Sequence, residues 1–220
     1  MLPNILTETQ QTVLRVIGSS QQLHDRFYLT GGTALAGFYL GHRYSEDLDF
    51  FSFEDVDPMG IEVFLKAYKD ELGYESYEYQ QSMNRNLYFL RYDEEELKME
   101  FTYFPFLQIE KPIEDDGLRI DSVLDIAVNK LFTIYQRSVA RDYIDLYMLC
   151  KKEGYTIKDL LAKARVKFDW HIDPLQLGSQ FYKAKAVIDM PHMITPLESL
   201  VWRSFFEHEA EKLKETIVEE

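Results

Sequence analysis

Apolar residues recur at roughly helical spacing over residues 5–24, with Ile5, Leu6, Val13, Leu14, Val16 and Ile17 marking one side. The spacing predicts a helix there. Phe27-Tyr28-Leu29-Thr30 reads as a short buried strand stopped by Gly31-Gly32. A helix from Thr33 to Tyr39 is expected to end at Gly41, and Leu48, Phe50 and Phe51 around two aspartates read as a second strand. Pro58 opens a further helix, 59–72, that stops before Gly73. Residues 74–79, 86–92 and 97–104 are rich in tyrosine and phenylalanine and read as strands, with Asp93-Glu94-Glu95-Glu96 as the turn between the last two.

After Pro112 and a turn at Asp115-Asp116-Gly117 the period lengthens. Apolar residues three and four apart predict helices over 122–136, 140–152, 156–167, 174–187 and 196–216. Strands followed by helices indicate an α+β fold rather than an alternating α/β one. The expected organisation is an α/β core over residues 1–115 and a helical domain over 116–220 packed on it.

Composition narrows the class. Of 220 residues, 46% are hydrophobic and 15% aromatic, enough for a packed core and too apolar for a disordered chain. The single cysteine, Cys150, excludes an intrachain disulfide and a thiolate zinc cluster; it reads as a packing residue. His24, His171, His192 and His208 show no metal-site spacing, and His42 reads as a turn residue. The start lacks the charged and apolar regions of a signal peptide, and no apolar run is long enough to span a bilayer, so a cytoplasmic protein is expected.

The net charge of −14 is unevenly spread. Residues 1–110 carry 8 Lys+Arg against 19 Asp+Glu, whereas residues 130–185 carry 11 against 6. An acidic half beside a basic segment suggests metal chemistry next to an anionic partner, although solvated helix faces produce the same count.

The acids that carry chemistry are Asp47 and Asp49. Residues i and i+2 of a strand face the same side, so both carboxylates project together and repel. A divalent cation offsets that repulsion, and hard oxygen ligands suit Mg²⁺ or Mn²⁺. Two such ions clamp the attacking and leaving oxygens of a phosphoryl displacement. Glu100, an acid among apolar residues in Leu97-Lys98-Met99-Glu100-Phe101, is a third candidate ligand if its strand lies beside that of Asp47. Pairing with Lys98 or Arg91 is the plainer alternative for it. Gly31-Gly32-Thr33 matches neither a dinucleotide fingerprint nor a Walker loop. Two glycines between a strand and a helix nevertheless let backbone N–H groups approach a phosphate closely.

Gly-Gly, a helix, Asp-x-Asp on a strand and a later third acid resemble the DNA polymerase β-type nucleotidyltransferase fold. Leu29-Thr30-Gly31-Gly32-Thr33-Ala34-Leu35-Ala36 with His42-Arg43-x-Ser45-x-Asp47-Leu48-Asp49-Phe50-Phe51 is similar to the AbiEii/AbiGii toxin-type nucleotidyltransferases. The stretch from Lys130 to Leu149, with Arg141-Asp142-Tyr143-x-Asp145, resembles a second region of that family. The resemblance implies Mg²⁺-dependent transfer of a nucleoside monophosphate from an NTP to an acceptor hydroxyl. An RNA acceptor such as tRNA, a toxin role and an antitoxin partner follow from it as expectations. It also implies Asp47, Asp49 and Glu100 as metal ligands, and Gly31, Gly32, Thr33, Arg43 and Ser45 as nucleotide contacts.

Asp142 and Asp145 are three apart on one predicted helix face, within reach of Lys130 if the two helices pack antiparallel. Lys130 and Arg141 near a metal would bind triphosphate and stabilise charge on the transferred group, with the two carboxylates orienting them. An interhelical salt-bridge cluster is the compatible structural reading. Lys151, Lys152, Lys163 and Lys167 are expected to face the nucleic acid. Transfer to a small molecule or a protein side chain, or a binding protein without activity, remain the alternatives.

Overall fold

The structure, a computed structural model, describes residues 5–218, with side chains to residue 214. It divides into two compact units, Met1–Ser122 and Val123–Glu220.

Unit 1 opens with α1 (Glu8–Ser19), started by a capping box in which Thr7 and Gln10 satisfy each other's backbone N–H groups. The expected single helix over 5–24 is broken at Ser20, and a four-residue turn, α2 (Gln21–His24), follows. Next come β1 (Tyr28–Thr30), α3 (Gly31–Ala34) leading directly into a π-helical segment (Leu35–Leu40), and β2 (Leu48–Ser52). Asp57 caps α4 (Pro58–Ala67), whose proline stands at the first turn, and α5 (Lys69–Leu72) ends at Gly73. Three longer strands follow, β3 (Ser76–Ser82), β4 (Arg85–Arg91) and β5 (Glu96–Tyr103), and then two short ones, β6 (Ile113–Asp115) and β7 (Leu118–Ile120).

All seven form one mixed sheet in the order β3-β4-β5-β2-β1-β7-β6. β2 runs parallel to β5 and antiparallel to β1, so β1 and β2 lie in the sheet interior. One face of β2 is apolar: Leu48 and Phe50 are buried, and Phe50 stacks on its register partner Phe101 with ring centroids 5.1 Å apart.

The sheet continues past residue 115, where the sequence placed the domain boundary. Asp116-Gly117 closes a hairpin with both residues at positive φ, as a two-residue turn of this kind requires. Its second strand pairs parallel with β1, which carries the unit to Ser122. A side chain at Gly117 would meet the Gly18 carbonyl oxygen at 2.4 Å, so the glycine also lets the turn pack closely on α1.

Unit 2 is helical: α6 (Val123–Gln136), α7 (Ala140–Glu153), α8 (Ile157–Phe168), α9 (Pro174–Lys183) and α10 (Ser199–Val218). Thr156 and Asp173 cap α8 and α9. The helix expected over 174–187 stops at Lys183, and that expected from 196 begins at Ser199. Tyr143 packs edge-on against Phe206 at 5.0 Å and, like Trp202, is fully buried. Burial pushes the Cys150 thiol up to about 12, as befits a packing residue.

One lysine expected at a nucleic-acid surface lies elsewhere. Lys167 has a side chain 1% exposed, and its Nζ is 2.6 Å from Asp125 Oδ1, joining α8 to α6. Counting charges along a segment does not distinguish a buried cation from a solvated one. Removing one partner of a buried pair strands the other charge, so Lys167→Met is expected to cost about 3–5 kcal/mol. The double change Asp125→Leu with Lys167→Met should recover much of that loss. Urea unfolding of the two variants measures both.

Candidate active site

β2 alternates strictly. Leu48, Phe50 and Ser52 are buried, whereas Asp47, Asp49 and Phe51 are half-buried on the opposite face. At about 3.3 Å per residue, Asp47 and Asp49 lie about 6.6 Å apart along the chain. The parallel partner β5 sets Glu100 directly beside Asp49, about 4.8 Å away between backbones. The antiparallel partner β1 sets Thr30 on its other side. The three carboxylates thus share one face of three adjacent positions.

They do not converge into a cage. Among the described residues, no three His, Cys, Asp or Glu side chains are grouped to hold a metal ion. Cations take two of the acids instead. Lys98 Nζ is 2.7 Å from Asp47 Oδ2 and 4.0 Å from Glu100 Oε2. Arg85 donates to both Glu100 oxygens, at 2.7 and 2.6 Å, and Thr102 Oγ1 donates a third hydrogen bond at 2.8 Å. The repulsion anticipated among bare carboxylates is therefore offset by the chain's own side chains. Of the cations named for Glu100, Lys98 lies within ion-pair distance, but Arg85 holds it most closely, whereas Arg91 pairs instead with Glu78 and Glu96.

Burial pushes the Glu100 carboxyl up. The hydrogen bonds from Arg85 and Thr102 and the charges of Arg85 and Lys98 outweigh it and hold the group below its ordinary value. Glu100 is consequently ionised at neutral pH and suited to a cation rather than to carrying a proton.

The glycines stand against this face. Gly31, at φ +72°, lies so close to Asp49 that a Cβ would meet Oδ2 at 2.4 Å. A Cβ on Gly32 would meet an Arg43 guanidinium nitrogen at 2.6 Å and the Ser45 hydroxyl at 3.0 Å. Thr33 donates its hydroxyl to the Asp47 carbonyl oxygen. Gly31, Gly32, Thr33, Arg43, Ser45, Asp47 and Asp49 are thus brought together, although Arg43 is only 2% exposed and also donates to the Tyr44 carbonyl at 2.9 Å.

Two anchors of this region escaped the sequence reading. Gln10, the capping residue of α1, donates its amide to the Ser45 carbonyl at 2.7 Å and so fixes the loop before β2. Asp121, fully buried, accepts from Thr30 Oγ1 at 2.8 Å and Gln108 at 2.7 Å, steadying the residue before Gly31. Neither carries a motif. A buried polar residue beside an element terminus is the only signal they offer.

In unit 2, Lys130 Nζ lies 2.8 Å from Asp142 Oδ1 and 2.7 Å from Asp145 Oδ2, and Arg137 Nε is 2.9 Å from Asp142 Oδ2. Both aspartates and Lys130 are buried, whereas Arg141 is exposed. The cluster ties α6 to α7, as the salt-bridge reading required. Burial pushes the Asp142 carboxyl up, but Lys130 and Arg137 more than compensate and hold it below the usual range.

A family model described as nucleotidyl transferase AbiEii toxin of type IV toxin–antitoxin systems matches residues 13–216. The uncharacterised protein aq_aa25 of Aquifex aeolicus is 32% identical over 165 residues, which is 74% of this chain and 76% of that protein. A putative nucleotidyltransferase from Helicobacter pylori superposes with a TM-score of 0.61 at 22% identity, covering 97% of this chain and 98% of that one. The nucleotidyltransferase toxin MenT4 from Mycobacterium tuberculosis superposes equally well, at 0.61 and 18% identity, over 93% of this chain and 81% of its own. The shared fold is that of the nucleotidyltransferases.

A carboxyl whose folded pKa is depressed contributes stability above its unfolded value, about 3.9 for Asp, and loses it as pH falls toward the folded one. Wild-type protein should therefore lose more stability between pH 6 and pH 3 than Asp142→Asn does. Urea midpoints at the two pH values test this. Equal losses would show that Asp142 does not contribute in the expected direction.

Proposed function

We propose that this chain, which belongs to the AbiEii nucleotidyltransferase toxin family, moves a nucleoside monophosphate from an NTP to an RNA hydroxyl, with Mg²⁺ or Mn²⁺. The chain is a nucleotidyltransferase of a toxin–antitoxin family, and such enzymes generally use a divalent metal. The ion, the RNA acceptor (tRNA in the first instance), an antitoxin partner and a cytoplasmic setting are the proposed part. Among the described residues no helix is long and apolar enough to cross a membrane.

The carrying observation is the shared face of Asp47, Asp49 and Glu100, with Gly31 backed onto Asp49. The donor chemistry fits a hard divalent cation: the carboxylate oxygens of half-buried Asp47 and Asp49, beside buried Glu100 on β5. Asp47 and Asp49 would hold the ion, with Glu100 as the third acid of the face. When bound, the ion draws charge from the transferred phosphoryl group and lowers the pKa of the acceptor hydroxyl.

The chain's own residues supply the rest. Gly31 and Gly32 let Asp49, Arg43 and Ser45 pack against the backbone, and their N–H groups would meet a phosphate brought to that face. Ser45 and Arg43 stand beside Gly32 as polar contacts for the nucleotide. Thr33 acts through the backbone of Asp47 and is a positioning residue. Lys130, held by two carboxylates, keeps Asp142 and Asp145 in place and with them the helix that presents Arg141, an exposed cation for an anionic substrate. The basic balance of residues 130–185 supports a polyanionic acceptor. Lys151 and Lys152 are exposed and Lys163 half-exposed, and these replace the buried Lys167 in that role.

Incubation with each labelled NTP, Mg²⁺ and total RNA is the direct test. Label in RNA is expected, with Asp49→Asn reducing it at least about 10³-fold, since the electrostatic stabilisation it provides is realised in the transition state. Label in protein or in a small molecule would overturn the RNA acceptor, and near-normal transfer by Asp49→Asn would overturn the site.

A second measurement addresses the surface. A Lys151/Lys152/Lys163→Ala triple variant should lower the salt slope of RNA binding by about one for each RNA phosphate that the variant no longer neutralises. An unchanged slope would exclude these lysines from the RNA interface.

A further inference from the structure

We propose that Lys98 is a resident counter-ion of the catalytic face: it competes with the divalent cation for Asp47 and, once displaced, serves the nucleotide's phosphates. The inference rests on the metal-dependent reading above and adds a positioning residue to it. Lys98 lies opposite Asp47 in the β2–β5 register, since Asp49 pairs with Glu100 and Leu48 with Met99. Its Nζ is 2.7 Å from Asp47 Oδ2 and 4.0 Å from Glu100 Oε2, between two of the three acids. An ammonium and a divalent cation cannot share one carboxylate oxygen without strong repulsion at that distance. An ion entering at Asp47 Oδ2 therefore has to move Lys98, and one at Oδ1 is repelled by it across a single carboxylate.

The side chain is built for such an exchange. It is 23% exposed, neither locked in the core nor fully solvated, and its four-carbon stem rotates freely about a single point charge. Arg85 differs. It grips Glu100 through two parallel hydrogen bonds, with Thr102 adding a third to the same carboxylate, which makes that pair a fixed support. Freed from Asp47, the Lys98 ammonium remains on the face that receives the NTP. Phosphate oxygens are the natural anionic partner there. Lys98 would thus keep the acids compensated before the ion arrives and transfer its charge to the substrate afterwards.

Mn²⁺ binding to the nucleotide-free protein tests this without any activity assay. Titration followed by the electron paramagnetic resonance signal of free Mn²⁺ is applied to wild type, Lys98→Met, Lys98→Gln, Asp47→Asn, Asp49→Asn and Lys66→Met. Lys66 is an exposed lysine of the same unit, paired with Glu62, and controls for a general loss of positive charge. Both Lys98 variants are expected to bind Mn²⁺ about two- to fivefold tighter, the range a partly exposed ion pair allows. Lys66→Met should match wild type, and Asp47→Asn should bind more weakly. With metal saturating, both Lys98 variants should need a higher NTP concentration for half-maximal rate. Unchanged or weaker Mn²⁺ binding by both, while Asp47→Asn still weakens it, would overturn the role of Lys98 alone. Tighter binding with an unchanged NTP requirement would overturn the transfer to phosphate. Mn²⁺ binding indifferent to both Asp47→Asn and Asp49→Asn would overturn the metal reading itself.

Discussion

The parallel register of β2 and β5 fixes the arrangement of the candidate site. Its backbone hydrogen bonds set Asp49 beside Glu100, and the same alignment brings Asp47, just before β2, to its ion pair with Lys98. Period-two alternation then forces Leu48, Phe50, Met99 and Phe101 into the core on the reverse side. A slip of one residue would bury both aspartates and expose the stacked phenylalanines. The packing of one face therefore fixes the electrostatics of the other, and the hydrophobic effect determines where the acids stand.

Acids held in place this way need compensation, and the two units solve the problem differently. In unit 1 the compensating cations are partly exposed: Arg85 and Lys98 have side chains 47% and 23% accessible. In unit 2 two of them are enclosed, Lys130 and Lys167 among Asp142, Asp145 and Asp125, whereas Arg137 on Asp142 reaches solvent. A buried pair contributes little net stability but is costly to break, which suits groups that fix how helices pack. Partly solvated pairs are weaker and exchangeable, which would suit the proposed role of this face.

Much of this was legible in the sequence, and the gaps have physical causes. Asp-x-Asp between Leu48 and Phe50 could be read because alternation is a local property of a strand. Gly31-Gly32 could be placed because only a turn or a close approach needs two glycines there. Pairing partners could not be read. Arg85 reaches Glu100 only because the β4–β5 hairpin register sets it across from Thr102, and Arg91, nearer in sequence, falls at the far end of the same strands. The β6–β7 hairpin was missed because two three-residue strands hold too little alternation to announce themselves, although Asp116-Gly117 marked their turn. Lys167 was misplaced because its burial depends on Asp125, forty-two residues earlier in the chain.

The acidity of the first half runs against a polyanionic substrate if only the total is counted. At physiological ionic strength, however, charges more than about 8 Å away are largely screened, so the total matters less than the immediate neighbourhood. On the β2–β5 face Arg85 and Lys98 pair with Glu100 and Asp47 beside Asp49, and Arg43 stands next to the adjoining Gly32. The local balance among these groups is thus close to neutral, and Glu96 at the start of β5 has its own cation in Arg91. A single divalent ion is enough to turn such a face positive. On the proposed reading, an acidic protein would in this way receive a triphosphate without a basic surface, the ion rather than the net charge of the chain deciding the sign of the face.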